Sequence, residues 1–169
     1  IETGQRYEMR AERLKGATLF LDEASVTGTE NAIMAAALAE GETTLRNAAS
    51  EPHVQDLCRF LVALGAEIDG IGSNVLRIGG VESLAGGSHR ICPEHIEVAS
   101  FIGLAAVTGS EITIEGAAPD DLLAILPAFQ RLGVRVELTE DSVHVPAGQE
   151  LAIQDDLGGQ IPKIEDGIW

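Results

Sequence analysis

The residues best placed to do chemistry stand at 25–31, "SVTGTEN". Ser25, Thr27 and Thr29 offer hydroxyls around Gly28 and lead into the nearly unbroken apolar run "AIMAAALAEG". Thr27 followed three residues later by Glu30 has the form of a capping box, which predicts a helix starting near Gly28. The free N–H groups and the positive end of the helix dipole then open beside Ser25, Val26 and Thr27, an arrangement that suits phosphate or carboxylate. The same hydroxyls serve equally as plain caps, which is the commoner use of such residues. The body of this helix has no polar face, so burial on every side is expected, with the polar mouth opening into a cleft or at the end of a layer.

Other reactive side chains are less suggestive. His53, His89, His95 and His144 show no metal-ligand spacing in the sequence. Cys58 and Cys92 make neither a disulfide framework nor a zinc pattern, which points to a reducing compartment. Asp120 and Asp121 follow Pro119, where carboxylates suit a helix start, while Asp155–Asp156 read as a solvated turn and "GIGSN" as a hairpin. The net charge of −16 argues against nucleic acid and anionic membrane surfaces, both of which need a positive footprint. No apolar run reaches the roughly 18 residues of a membrane span, and no basic-then-apolar leader is visible. With 45% hydrophobic but only 4% aromatic residues, the core must be aliphatic.

The elements that carry these residues repeat. "GETTLRNAASEPHVQDLCRFLVALGAEI" from Gly41 falls on "GSEITIEGAAPDDLLAILPAFQRLGVRV" from Gly109 at a shift of 68 residues. Val54, Leu57, Cys58, Leu61 and Leu64 lie over Leu122, Ile125, Leu126, Phe129 and Leu132, the spacing of one face of an amphipathic helix. Each copy reads as helix–strand–helix–strand–strand. An apolar helix ends at a glycine (Gly41, Gly109), and a strand follows (43–47, 111–115). The amphipathic helix then stops at Gly65 or Gly133, and two short strands close the unit, "AEIDG" with "NVLRIGG" and "VRVEL" with "SVHVP". An additional strand is expected before each copy, with "YEMRAERL" and "ATLFLD" serving the first. Pro127 predicts a kink in the second amphipathic helix. Between the copies, "SLAGGSHRICPEHIEV" reads either as a domain boundary crossing at Cys92–Pro93 or as a loop within one domain.

The stretches "LKGATLFLDEASVTGTENAIMAAALAEG", "PEHIEVASFIGLAA" and "GGQIPKIEDGIW" resemble the middle of the enolpyruvyl transferases that begin peptidoglycan precursor synthesis, and the likeness runs through essentially all 169 residues. The second stretch resembles that family's interdomain segment, and the third resembles the residues just before its catalytic aspartate. The sister transferases of aromatic biosynthesis share the repeat but not these words. The resemblance implies an α/β fold of two inside-out barrels, each of three such repeats with helices inside and sheets outside, here incomplete. It implies that residues 1–92 are the last repeat of the first, sugar-nucleotide domain, and that 93–169 are the first repeat and following segment of the second.

The implied reaction moves the enolpyruvyl group of phosphoenolpyruvate to the 3-hydroxyl of UDP-N-acetylglucosamine and releases phosphate. It is cytoplasmic and needs no metal or organic cofactor. By the resemblance, Ser25, Val26 and Thr27 fall where the family contacts the nucleotide diphosphate and sugar, and Glu51 and Glu94 fall on acidic positions lining the cleft. Glu23 departs from a lysine that some relatives place on the diphosphate, and His95 departs from an arginine. The family's catalytic groups are expected before Ile1 and after Trp169, so none falls within these residues. The alternative reading, from another class, is a non-catalytic α/β repeat module that binds a partner or small anionic ligand.

Overall fold

The computed structural model describes residues 8–164. The chain divides into two compact units between Arg90 and Ile91. The first unit contains β1 (Thr18–Phe20), α1 (Val26–Ala36), β2 (Glu42–Arg46), α2 (Pro52–Ala63), β3 (Glu67–Asp69) and β4 (Val75–Gly79). Its sheet runs in the order β1-β2-β4-β3, with β1 parallel to β2 and the remaining pairs antiparallel. Along β2 the side chains alternate, Thr43 and Leu45 inward and Glu42 and Arg46 outward, as a strand with one covered face requires. Leu45, Leu76 and Ile78 on that face pack against Ile33 and Ala36 of α1 and Val54, Cys58 and Leu61 of α2. Burial of a leucine such as Leu45 contributes about 1.5–3 kcal/mol. Pro52 opens α2, where its missing N–H costs nothing, and Gly65 closes it at φ 103°, a conformation that side chains with a Cβ resist.

The second unit contains α3 (His95–Thr108), β5 (Ile112–Glu115), a 3₁₀ turn (Pro119–Leu122), α4 (Leu126–Arg131), β6 (Glu137–Leu138) and β7 (Ser142–Val145). Its antiparallel sheet runs β5-β7-β6. Val98, Ile102, Ala105, Leu122, Val143 and Val145 form its core.

From the apolar helix onward the two units repeat the same order of elements, but no single shift relates them. Thr29, Ile33 and Ala36 of α1 are buried like Val98, Ile102 and Ala105 of α3, 69 residues on. The inward pair Leu45–Leu76 is matched by Ile114–Val143, 69 and 67 residues on. Only the amphipathic helix keeps the 68-residue shift, with Val54 over Leu122. A slip of one residue turns a strand's side chains to the opposite face, so the inward faces reveal this drift where sequence identity does not.

Several expectations need correction. Residues 8–14 form no strand, only Lys15 bridges to Glu40, and Tyr7 lies outside the described residues. No strand precedes α3 among residues 80–94, and of "VRVEL" only Glu137–Leu138 pairs. Pro127 does not kink a long helix. It stands in the first turn of the short α4, and the residues ahead of it form the 3₁₀ turn instead. Its ring and missing N–H break the backbone pattern that α2 maintains over the same positions.

The helix α1 ends at Ala36, not at Gly41. Neither apolar helix is buried on every side. Met34 of α1 is 47% exposed, and Phe101, Leu104 and Val107 of α3 are 46%, 52% and 79% exposed. Each unit supplies one sheet, which covers one side of an apolar helix.

Candidate functional site

The parallel strands β1 and β2 each lead directly into a helix, so the loops 21–25 and 47–51 lie together at their C-terminal edge. In open α/β sheets this edge is where ligands bind. The first loop ends at Ser25, the N-cap of α1. Its backbone is extended (φ −72°, ψ 124°), and its Oγ accepts from Gly28 N at 3.2 Å. The helix therefore starts two residues earlier than the Thr27–Glu30 pattern suggested. Serine can reach the third helical N–H from this position, and Thr27 is left inside the first turn with an exposed side chain. Val26 packs partly on the core. No acidic residue stands in this turn, so the positive end of the dipole is unneutralised there.

The second loop is tied to the first by residues that the sequence reading passed over. Asn47 adopts φ 57°, which asparagine tolerates better than most residues, and donates from Nδ2 to Leu21 O at 2.9 Å. Thr29 is wholly buried in α1, and its Oγ1 accepts from Ala49 N at 2.9 Å. Two residues further on stands Glu51, the N-cap of α2. Its side chain makes no capping bond, and its Oε2 is buried without a hydrogen-bond partner among the described residues. The structure thus holds Ser25 and Glu51 on two linked loops of one unit, with Val26 and Thr27 in the first turn of α1 beside them.

Glu94 belongs to the other unit. It caps α3, accepting from Ile96 N at 3.0 Å, and lies 3.2 Å from His95 Nδ1. It is the repeat equivalent of Ser25, 69 residues on. The chemistry of the two caps differs. A carboxylate at the cap and Glu97 in the first turn neutralise the N-terminus of α3, whereas the hydroxyl of Ser25 leaves that of α1 open to an anion.

The remaining candidates are structural. Cys58 is buried in the first core, and burial pushes its thiol up to about 11. Asp120 and Asp121 stand in the 3₁₀ turn. Asp156 holds the turn foreseen for it, accepting from Gly158 N and Gln160 N at 2.8 and 3.0 Å. The "GIGSN" hairpin joins β3 to β4, with Gly70 and Gly72 at positive φ.

Comparison with known proteins agrees with this architecture. The family model described as EPSP synthase (3-phosphoshikimate 1-carboxyvinyltransferase) matches residues 3–162. The chain is 52% identical over 169 residues to the UDP-N-acetylglucosamine 1-carboxyvinyltransferase of Treponema denticola, covering 100% of this chain and 40% of that one. It is 56% identical over 164 residues to the protein of the same name from Bradyrhizobium diazoefficiens, covering 97% and 38%. Among solved structures, the enolpyruvyl transferase NikO from Streptomyces tendae superposes with a TM-score of 0.69 at 27% identity, over 80% of this chain and 36% of its own. EPSP synthase from Acinetobacter baumannii shares the fold at a TM-score of 0.61 and 21% identity, over 89% and 35%. The chain thus spans about 40% of the length of the relatives it matches. With nearly all its residues matched by the family model, it belongs to the EPSP synthase (3-phosphoshikimate 1-carboxyvinyltransferase) family, the enolpyruvyl transferases.

Proposed function

We propose that this chain is the central part of an enzyme that transfers the enolpyruvyl group of phosphoenolpyruvate to the 3-hydroxyl of UDP-N-acetylglucosamine, releasing phosphate, in the cytoplasm. The observation that carries this reading is the 52% identity over all 169 residues to a relative bearing that enzyme's name. Residues 1–92 then close the sugar-nucleotide domain and 93–169 open the second domain. The open apolar sides of α1 and α3 meet the further repeats of a longer protein.

The N-terminus of α1 suits one end of the sugar nucleotide. Ser25, Val26 and Thr27 present backbone N–H groups, hydroxyls and an unneutralised dipole to the diphosphate. Such an end contributes about 0.3–1 kcal/mol at an exposed site. Millimolar affinity requires about 4 kcal/mol, so cations from elsewhere in the longer protein must complete the site. Glu51 and Glu94 line the cleft as acidic groups. The reaction also needs a base at the sugar hydroxyl and positive charge on the departing phosphate. Such preorganised electrostatics generally supply the largest share of catalysis, and the relatives' remaining length is where we place them. Glu23 stands close before the α1 cap and must turn away from a bound diphosphate.

Calorimetry of UDP-N-acetylglucosamine binding to the full-length protein tests this placement. Ser25→Ala and Thr27→Ala should each weaken affinity severalfold. Unchanged affinity in both would leave Ser25 as the helix cap and Thr27 as an exposed first-turn residue, and nothing more.

A further inference from the structure

Among the described residues, Asn47 and Ala118 are the residues other than glycine at positive φ, Asn47 at 57°. The repeat shows that the fold does not require asparagine at this place. Leu45–Leu76 corresponds to Ile114–Val143, so Asn47 corresponds to Gly116, which stands at φ 66°. The following residues agree, with Ala48 N donating to Asn74 O at 3.0 Å and Ala117 N to Asp141 O at 2.9 Å. Both units therefore turn the chain out of the strand through the left-handed region. Glycine enters that region without steric cost, whereas asparagine enters it against its own Cβ. A strained backbone kept where glycine serves the turn equally well points to a use for the side chain.

That use lies at the edge of the parallel pair. Leu21 N donates to Arg46 O at 3.0 Å, one step beyond the pairing of Phe20 with Arg46. Asn47 Nδ2 then donates to Leu21 O at 2.9 Å, standing in for a backbone N–H after β2 has turned away. Leu21 is thus held at both its N–H and its carbonyl. From it the exposed Asp22 and Glu23 lead to Ser25, the cap of α1. The other tie of the second loop, Ala49 N to Thr29 Oγ1, reaches the body of α1 and not residues 21–25. In the second unit no strand precedes α3 among residues 80–94, so that stretch offers Gly116 no counterpart of Leu21.

We propose that Asn47 is a positioning residue for the sugar-nucleotide site. By holding Leu21 O it fixes the line along which residues 22–25 reach the N-terminus of α1, and so sets the affinity for UDP-N-acetylglucosamine. It acts through the loop and not by contact with the substrate. The inference rests on the placement of the diphosphate at that helix end under Proposed function.

Titration calorimetry and steady-state kinetics on the full-length protein that carries this chain test the role. Asn47→Gly keeps the backbone that Gly116 adopts and removes the donor. Asn47→Asp keeps the side-chain shape and sets a carboxylate against a carbonyl. Each should raise the Kd for UDP-N-acetylglucosamine by about tenfold, the scale of one lost hydrogen bond. The kcat of each at saturating substrates should stay within about twofold of wild type, as when binding alone is weakened. Glycine adds no charge, so weakening in both variants separates the missing donor from a new carboxylate near the diphosphate. If Asn47→Asp folds poorly, Asn47→Gly decides. An unchanged Kd in a folded variant, with wild-type protein that binds the sugar nucleotide, would overturn the role of Asn47 alone. So would a fall in kcat at unchanged Kd, since Asn47 would then serve the fold as a whole. Wild-type protein that binds no UDP-N-acetylglucosamine would overturn it together with the reading it rests on.

Discussion

Replacing Thr29 by valine isolates the bond that ties α1 to the second loop of the candidate site. The side chains have nearly equal volume, so no cavity opens. The change removes the Oγ1 that accepts from Ala49 N at 2.9 Å, in a position where Thr29 is 0% and Ala49 3% exposed. An orphaned buried N–H costs about 1–3 kcal/mol. With a urea dependence of about 1–3 kcal/mol per molar, the unfolding midpoint should fall by roughly 1 M at unchanged slope. The second unit serves as a natural control. Val98 stands at the equivalent position there, and no side-chain bond of this kind holds Ala118 among the described residues. Exchange of the Ala49 amide should rise in Thr29→Val and stay at the wild-type rate in Thr29→Ser, which keeps the hydroxyl. Unchanged Ala49 exchange in Thr29→Val would show that the loop is held by packing and by the Asn47–Leu21 bond, and that the Thr29 tie drawn here is wrong.

Other perturbations are as definite. Ser25→Ala removes the acceptor of Gly28 N and should cost about 1 kcal/mol of stability by urea unfolding, with Thr27→Ala costing less. The raised thiol of Cys58 predicts that at pH 8 a thiol reagent modifies Cys92 first and reaches Cys58 only on unfolding. A pKa raised from 9.0 to about 11 in the folded state means that the protonated thiol contributes fully below pH 9. Stability should therefore fall as pH rises from 9 toward 11, and Cys58→Ala should abolish that part of the fall. Gly133 sits at φ 79°, and a Cβ there would lie 2.4 Å from Ala152 O. Gly133→Ala should therefore displace residues 151–154 and cost more than the roughly 1–2 kcal/mol of the left-handed backbone alone, measured by thermal unfolding.

Much of the fold was legible because periodicity and punctuation recur twice. Val54, Leu57, Cys58 and Leu61 announced α2, Gly65 announced its end, and the β-rich stretch 43–47 announced β2. The second amphipathic stretch has the same apolar spacing, yet Pro127 overrode it, because side-chain pattern does not record a backbone N–H that is missing. The helix start was misplaced because Ser25 and Thr27 are both good caps, and only backbone geometry at Ser25 selects between them. Full burial of α1 was inferred from composition alone, which fixes what a helix would bury but not what is present to cover it. The linkage through Asn47 and Thr29 was invisible for another reason. A threonine in a helix, or an asparagine after a strand, acquires a partner only when the chain folds back over roughly twenty residues or more.

The most direct test of the central claim is substrate choice. Full-length protein containing this chain is incubated with phosphoenolpyruvate and either UDP-N-acetylglucosamine or shikimate 3-phosphate, with released phosphate and the enolpyruvyl product followed together. The account predicts phosphate and the enolpyruvyl ether of UDP-N-acetylglucosamine in equal amounts, and neither with shikimate 3-phosphate. Turnover of shikimate 3-phosphate, or release of phosphate without the sugar-nucleotide ether, would contradict it.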